Sequence, residues 1–173
     1  MKLSTRGRYA VMAMTDLAQH YLLDTDTSVA EAVQPPPVPQ PPPVTLASVA
    51  KRQEISLLYL EQIFRDLRRA GLVESVRGPK GGYRLSRPPD QLLVSDIIDS
   101  VDENINVTRC QTADGCLAKQ ARCMTHALWA ELGVHIHTFL QRISLADVVS
   151  NDFTHIASVY EAHTPQPQTV EQP

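Results

Sequence analysis

Between Val44 and Arg87 the hydrophobic period changes from helical to alternating, and this narrows the folds open to the chain more than any other feature. Leu46, Val49 and Ala50 recur at helical spacing behind Thr45, a residue suited to an N-cap. Glu54-Ile55-Ser56 reads as a tight turn. Ser56 can cap a second helix with Leu57, Leu60, Phe64 and Leu67 as its core face, and Gly71 stands where a left-handed C-terminal cap belongs. Two strand-like runs, 72–77 and 83–86, then flank a Gly78-Pro79-Lys80-Gly81-Gly82 tip, the pattern of a β-hairpin. Two helices joined by a three-residue turn make a helix-turn-helix, and a hairpin directly after the second helix is a wing. The expected fold is mainly α with a small β-hairpin wing: a winged helix-turn-helix domain plus a long dimerisation helix.

The flanking segments complete this plan. Tyr9, Met14, Leu17, Ala18 and Tyr21 predict an amphipathic helix over 4–22. Seven prolines between Gln34 and Val44 forbid helix and ladder hydrogen bonds, so 24–44 is expected to be an inserted proline-rich loop within a DNA-binding domain of residues 1–90. Val94, Ile97, Ile98 and Val101 mark a short connecting helix, followed by a cysteine-bearing loop to residue 125. Over 126–159, Leu128, Leu132, Ile136, Phe139, Leu140 and Ile143 form one stripe. Leu128, Leu132, Ile136 and Phe139 are its candidate dimerisation residues, predicting a homodimer. Residues 160–173 are polar and rich in Pro and Gln, so a disordered tail is expected there.

Charge is distributed unevenly. The net charge is -3, yet residues 51–87 carry nine Lys/Arg against four Asp/Glu, whereas 91–173 carry four against ten. A basic middle before an acidic end points to one polyanion-facing surface. On the second helix Tyr59, Glu61 and Gln62 are candidates for base readout, since Gln can bond adenine and Glu can accept from cytosine N4. Arg65, Arg68 and Arg69 suit phosphates or a solvated face. At the wing, Arg77 beside a glycine-rich tip suits a narrow minor groove, and Lys80 a phosphate. Ser75, on the first strand-like run, joins this DNA-facing set. The expected partner is double-stranded operator DNA. No apolar stretch approaches a membrane span, and the clustered, odd number of cysteines does not form a secreted disulfide framework. A reducing cytoplasm and no membrane partner are expected.

Cys110, Cys116, Cys123 and His126 lie within seventeen residues, separated by five, six and two positions. Thiolate and imidazole are soft or borderline donors that select zinc or an iron–sulfur centre over magnesium or calcium. Four such ligands close a tetrahedral zinc site or fill the terminal positions of a [2Fe–2S] cluster. The wide gaps favour the larger inorganic core. A Cys3His zinc module, a thiol switch and a Cys123–His126 nucleophile are the alternatives. The last has no visible oxyanion stabiliser, and no enzyme is expected.

The opening Leu3-Ser4-Thr5-Arg6-Gly7-Arg8-Tyr9, Ile55-Ser56 with Tyr59-Leu60-Glu61-Gln62, Val76-Arg77-Gly78-Pro79, Gly81-Gly82-Tyr83 and Cys123-Met124-Thr125-His126-Ala127-Leu128-Trp129 together resemble the IscR-like iron–sulfur cluster regulators of the Rrf family. The resemblance spans nearly the whole chain apart from the proline run and the tail. It implies a homodimeric winged-helix repressor or activator of cluster-assembly genes, loaded by the iron–sulfur assembly machinery. It also implies Cys110, Cys116, Cys123 and His126 as ligands of a [2Fe–2S] cluster, with Tyr59, Glu61, Gln62 and Arg77 facing DNA. Two positions depart from the pattern: the gap between Cys116 and Cys123 is one residue longer, and Leu58 replaces a small polar residue.

Overall fold

Thr45 begins the patterned region as its composition demands. Its backbone is extended (φ -78, ψ 143), and its side chain accepts from the Ser48 N–H to start α2 (Leu46–Gln53). The turn to α3 (Leu57–Arg69) passes through Glu54, which adopts the left-handed region at φ 55, conformational space that glycine occupies at less cost. At the far end of α3, Gly71 (φ 72) completes a Schellman motif: the Leu72 N–H donates to the Leu67 carbonyl and the Gly71 N–H to that of Arg68. Two expectations need correcting. Ser56 occupies the N-cap position of α3 without a capping side-chain bond. Leu57 is 42% exposed, and the core face is instead Leu60, Ile63, Phe64 and Leu67, all fully buried. Leu57 shares the angular face of Leu60 but sits in the first turn, beyond the body on which the helix packs.

A computed structural model describes residues 4–28, 41–101 and 122–156. In chain order its elements are α1 (Thr5–Ser28), α2, α3, β1 (Val73–Val76), β2 (Gly82–Leu85), α4 (Val94–Ser100), α5 (His126–Leu140) and α6 (Leu145–Ser150). The described residues are mainly helical and carry one small antiparallel sheet, as the sequence implies. The proline run up to residue 40, the expected loop with Cys110 and Cys116, and the expected tail lie outside the described residues. α1 continues to Ser28, six residues past the expected helix end, so its last turns enter the segment assigned to the inserted loop.

The hairpin pairs Val73 with Leu85 through to Val76 with Gly82. Val44, read from sequence as the boundary between the proline run and the patterned region, pairs with Tyr83 on the other edge of β2 through two 2.8 Å hydrogen bonds. A Cβ on Gly82 would intrude on the Val44 carbonyl, so glycine is what permits this close approach. The core joins Ala10, Ala13, Met14, Leu17 and Ala18 of α1 to the α3 face, the hairpin, Ile97 of α4 and Leu145 of α6. Aliphatic residues dominate it, as the scarcity of aromatics requires, and Phe64 meets Tyr83 edge to face at 4.9 Å. Within this apolar packing Asp16 is 3% exposed and accepts from Arg52 at 2.6 Å and Gln53 at 2.9 Å, tying α1 to α2.

α5 ends at Leu140, so Ile143 does not lie on it as the stripe predicted. The chain turns at Gln141, and the Ile143 carbonyl accepts from the Val94 N–H while the Leu145 N–H donates to Leu92. These bonds fasten the end of α5 beside the start of α4. They deliver α6, begun by a Ser144–Asp147 capping box, back onto α1.

Candidate DNA interface and cysteine–histidine turn

The buried face of α3 dictates what its other face presents. Leu58, Glu61, Gln62 and Arg65 follow one another at helical intervals along the exposed side, with Arg68 and Arg69 a turn beyond. Tyr59 stands apart from them. It is half-buried, and its ring meets Tyr9 of α1 edge to face at 5.9 Å, so it braces α3 on α1. Asp66, given no role by the sequence pattern, is buried on α3 and gathers arginines: Arg6 from the start of α1 and Arg69 (2.8 Å), with Arg65 at 3.8 Å. This carboxylate pins the first turn of α1 to α3 and fixes where two guanidinium groups sit. Its signal was available as an acid among arginines, but its burial depends on α1.

The wing tip is closed by a 2.9 Å bond from the Gly81 N–H to the Gly78 carbonyl, with Gly78 at φ 118. Arg77 and Lys80 are both exposed there. Ser75 is exposed on β1, and Arg68 approaches its hydroxyl at 3.5 Å, linking α3 to the wing. Glu74 and Arg84, directly opposed in the register, form a 2.9 Å ion pair across the hairpin. Among the described residues the exposed side of α3 and the wing tip thus share a surface chemistry of amide, carboxylate and guanidinium groups, the types that meet base edges and phosphates.

Burial pushes the Asp16 carboxyl up. Hydrogen bonds from Arg52 and Gln53, with the Arg52 and His20 charges, outweigh it and hold the group below the usual carboxylate value.

Of the four expected metal ligands, Cys123 and His126 are described, both half-exposed. They occupy one turn: the His126 N–H donates to the Cys123 carbonyl at 3.0 Å, and His126 opens α5. Thr125 lies between them, accepting from Trp129 Nε1 at 3.1 Å and standing 3.6 Å from Cys123 Sγ. Among the described residues no group of three or more metal donors assembles. The thiol and imidazole on one turn do match the soft donor set that zinc or an iron–sulfur group requires. From that turn α5 runs with Leu128 (60%) and Val134 (57%) exposed and Leu132 less so, while Ile136 is half-buried. Phe139, placed by sequence on the dimerisation stripe, packs with Leu140 against Val94, Ile98, Ile143 and Ile156 of its own chain. No helix among the described residues is long and apolar enough to cross a membrane.

The model of the Rrf2 family, iron-dependent transcriptional regulators, matches residues 3–151. IscR of Xenorhabdus nematophila, an HTH-type transcriptional regulator, is 46% identical over 151 residues, which cover 87% of this chain and 80% of that one. Among solved structures, IscR of T. potens is 36% identical with a TM-score of 0.61, covering 96% of this chain and 93% of its own. CymR, the global cysteine regulator of B. subtilis, is 28% identical with a TM-score of 0.65, covering 88% and 98%. Helix-turn-helix, wing, and this agreement over nearly the whole length lead to one conclusion: the chain belongs to the Rrf2 family and is a DNA-binding transcriptional regulator of the IscR type, not an enzyme.

Proposed function

We propose that this chain controls genes of iron–sulfur cluster assembly as a homodimer, with its operator affinity and site choice set by a [2Fe–2S] cluster on Cys110, Cys116, Cys123 and His126. The observation that carries the proposal is the pairing of Cys123 and His126 on the turn that opens α5. The iron dependence of the family supports it. When bound, the cluster would supply a redox-active group whose presence is the signal. Thiolates find their geometry together only with metal bound, so ligation and folding are linked.

The chain's own residues supply a path from that turn to the DNA face. The far end of α5 is seated by Phe139 and Leu140, and His137 Nε2 lies 3.0 Å from the Asp99 carboxylate of α4. α4 turns Ile97 toward the core and Val94 and Ile98 toward Phe139, Leu140, Ile143 and Ile156, and it packs on both α1 and α3. A change in how α5 is held therefore reaches the recognition helix through one intervening element. Leu128, Leu132 and Ile136 would meet their counterparts in a second copy, spacing two recognition helices for half-sites about 34–36 Å apart. Gln62, Glu61 and Arg65 would then read or grip the major groove, with Ser75, Arg77 and Lys80 engaging the flanking backbone and minor groove.

Anaerobic purification tests the cofactor. A brown protein with visible charge-transfer absorption supports the cluster. A colourless one with stoichiometric zinc supports the second reading, which the close Cys123–His126 spacing also suits: a zinc-stabilised module with constitutive DNA binding. Equal operator affinity for the loaded protein and for Cys116→Ala would refute the coupling.

A further inference from the structure

On the exposed stripe of α3, Leu58 is the residue with no hydrogen bond to offer. It is 68% exposed, one helical turn before Glu61 and Gln62 and two before Arg65. The core does not need it, because Leu60, Ile63, Phe64 and Leu67 already close the buried face. A single exposed leucine is ordinary on a protein surface. This one stands in the first turn of the recognition helix, and residues near that end approach base edges most closely. A leucine there strips water from whatever edge it covers and replaces none of the lost hydrogen bonds. The thymine C5-methyl is the apolar group that the four base pairs display in the major groove.

We propose that Leu58 is a specificity-determining residue that seats against a thymine methyl in each operator half-site, beside the base pair met by Gln62 four residues on. The selection is two-sided. Apolar contact with the methyl favours thymine, whereas cytosine offers no methyl at that place and a purine sets its polar N7 edge beneath the leucine. The proposal rests on α3 facing the groove.

The probe is a duplex enriched from a randomised pool by the wild-type protein. Each thymine is replaced singly by deoxyuridine, which removes the methyl and leaves the hydrogen-bonding edge intact. Affinity is read by fluorescence anisotropy at one fixed salt concentration. One thymine per half-site is expected to weaken wild-type binding about fourfold on losing its methyl. Leu58→Ala, whose thermal melt should match the wild type because the side chain is exposed, is expected to bind the parent duplex more weakly and to ignore that replacement. A scan in which no thymine methyl matters, or matters equally to both proteins, overturns the proposal. A pool that enriches no duplex overturns the groove-facing placement of α3, and the proposal with it.

Discussion

α3 and α5 are similar in length, thirteen and fifteen residues, and opposite in what they enclose. α3 buries Leu60, Ile63, Phe64 and Leu67 in its own chain and turns charge outward. α5 buries Gly133 and leaves Leu128, Leu132 and Val134 in solvent, with its C-terminal end seated against α4. An apolar stripe says which side of a helix avoids water, but not which body covers it. The α3 stripe is satisfied within one protomer. Among the described residues nothing buries the α5 stripe, and a second copy is the occupant we propose for it.

The largest effect should come from breaking this difference at α5. Leu128→Asp combined with Leu132→Asp puts two charges on the exposed seam, and we expect sedimentation of a monomer with about a hundredfold weaker operator binding. A variant that stays dimeric with wild-type affinity would move the interface elsewhere.

The self-contained body should respond to Asp16→Ala in a different way. Loss of the carboxylate that holds Arg52 and Gln53 should destabilise by about 3 kcal/mol at neutral pH, read by denaturant unfolding. The same group predicts acid sensitivity. Its carboxyl is lowered in the fold, so its contribution is present above the ordinary value of 3.8 and is lost as pH falls below it. A wild-type minus Asp16→Ala stability difference that stayed constant through this window would remove Asp16 from the account.

Gly82→Ala sharpens the contrast at the wing. Its Cβ would collide with the Val44 carbonyl, and we expect a loss of about 2 kcal/mol together with faster amide exchange at Val44 and Tyr83. The smallest effect runs the other way. Glu54→Gly relieves a left-handed backbone at the helix-turn-helix turn and should stabilise by about 0.5 kcal/mol, as a small rise in Tm.

Much of the helix-turn-helix was legible because its signals are local. Thr45 capping α2, Gly71 ending α3 and the Gly78–Gly82 tip each depend on residues within one turn of the chain. The capping box of α6, Ser144 with Asp147, was equally local and went unread. Other features had no local signal. Val44 becomes a strand partner only because β2 lies beside it, and Asp66 becomes a buried anchor only because Arg6 reaches it from sixty positions away. Ile143 fits the α5 period, yet the helix stops at Leu140, and the Ile143 carbonyl accepts from the Val94 N–H of a distant segment. At the site, residue identity told which groups could touch DNA, whereas packing set Tyr59 against Tyr9 and left Leu58 exposed.

By itself the sequence determined periods, caps and turn chemistry, since each of these arises from the conformational limits of neighbouring residues. It also determined the inventory of donors: soft ligands in one stretch, and amide and guanidinium groups on one helix. Only the tertiary structure decided which apolar stripe is covered, which carboxylates are buried among arginines, and which side chains remain in solvent. Burial depends on distant segments meeting, and those contacts carry no mark in any short window of the chain.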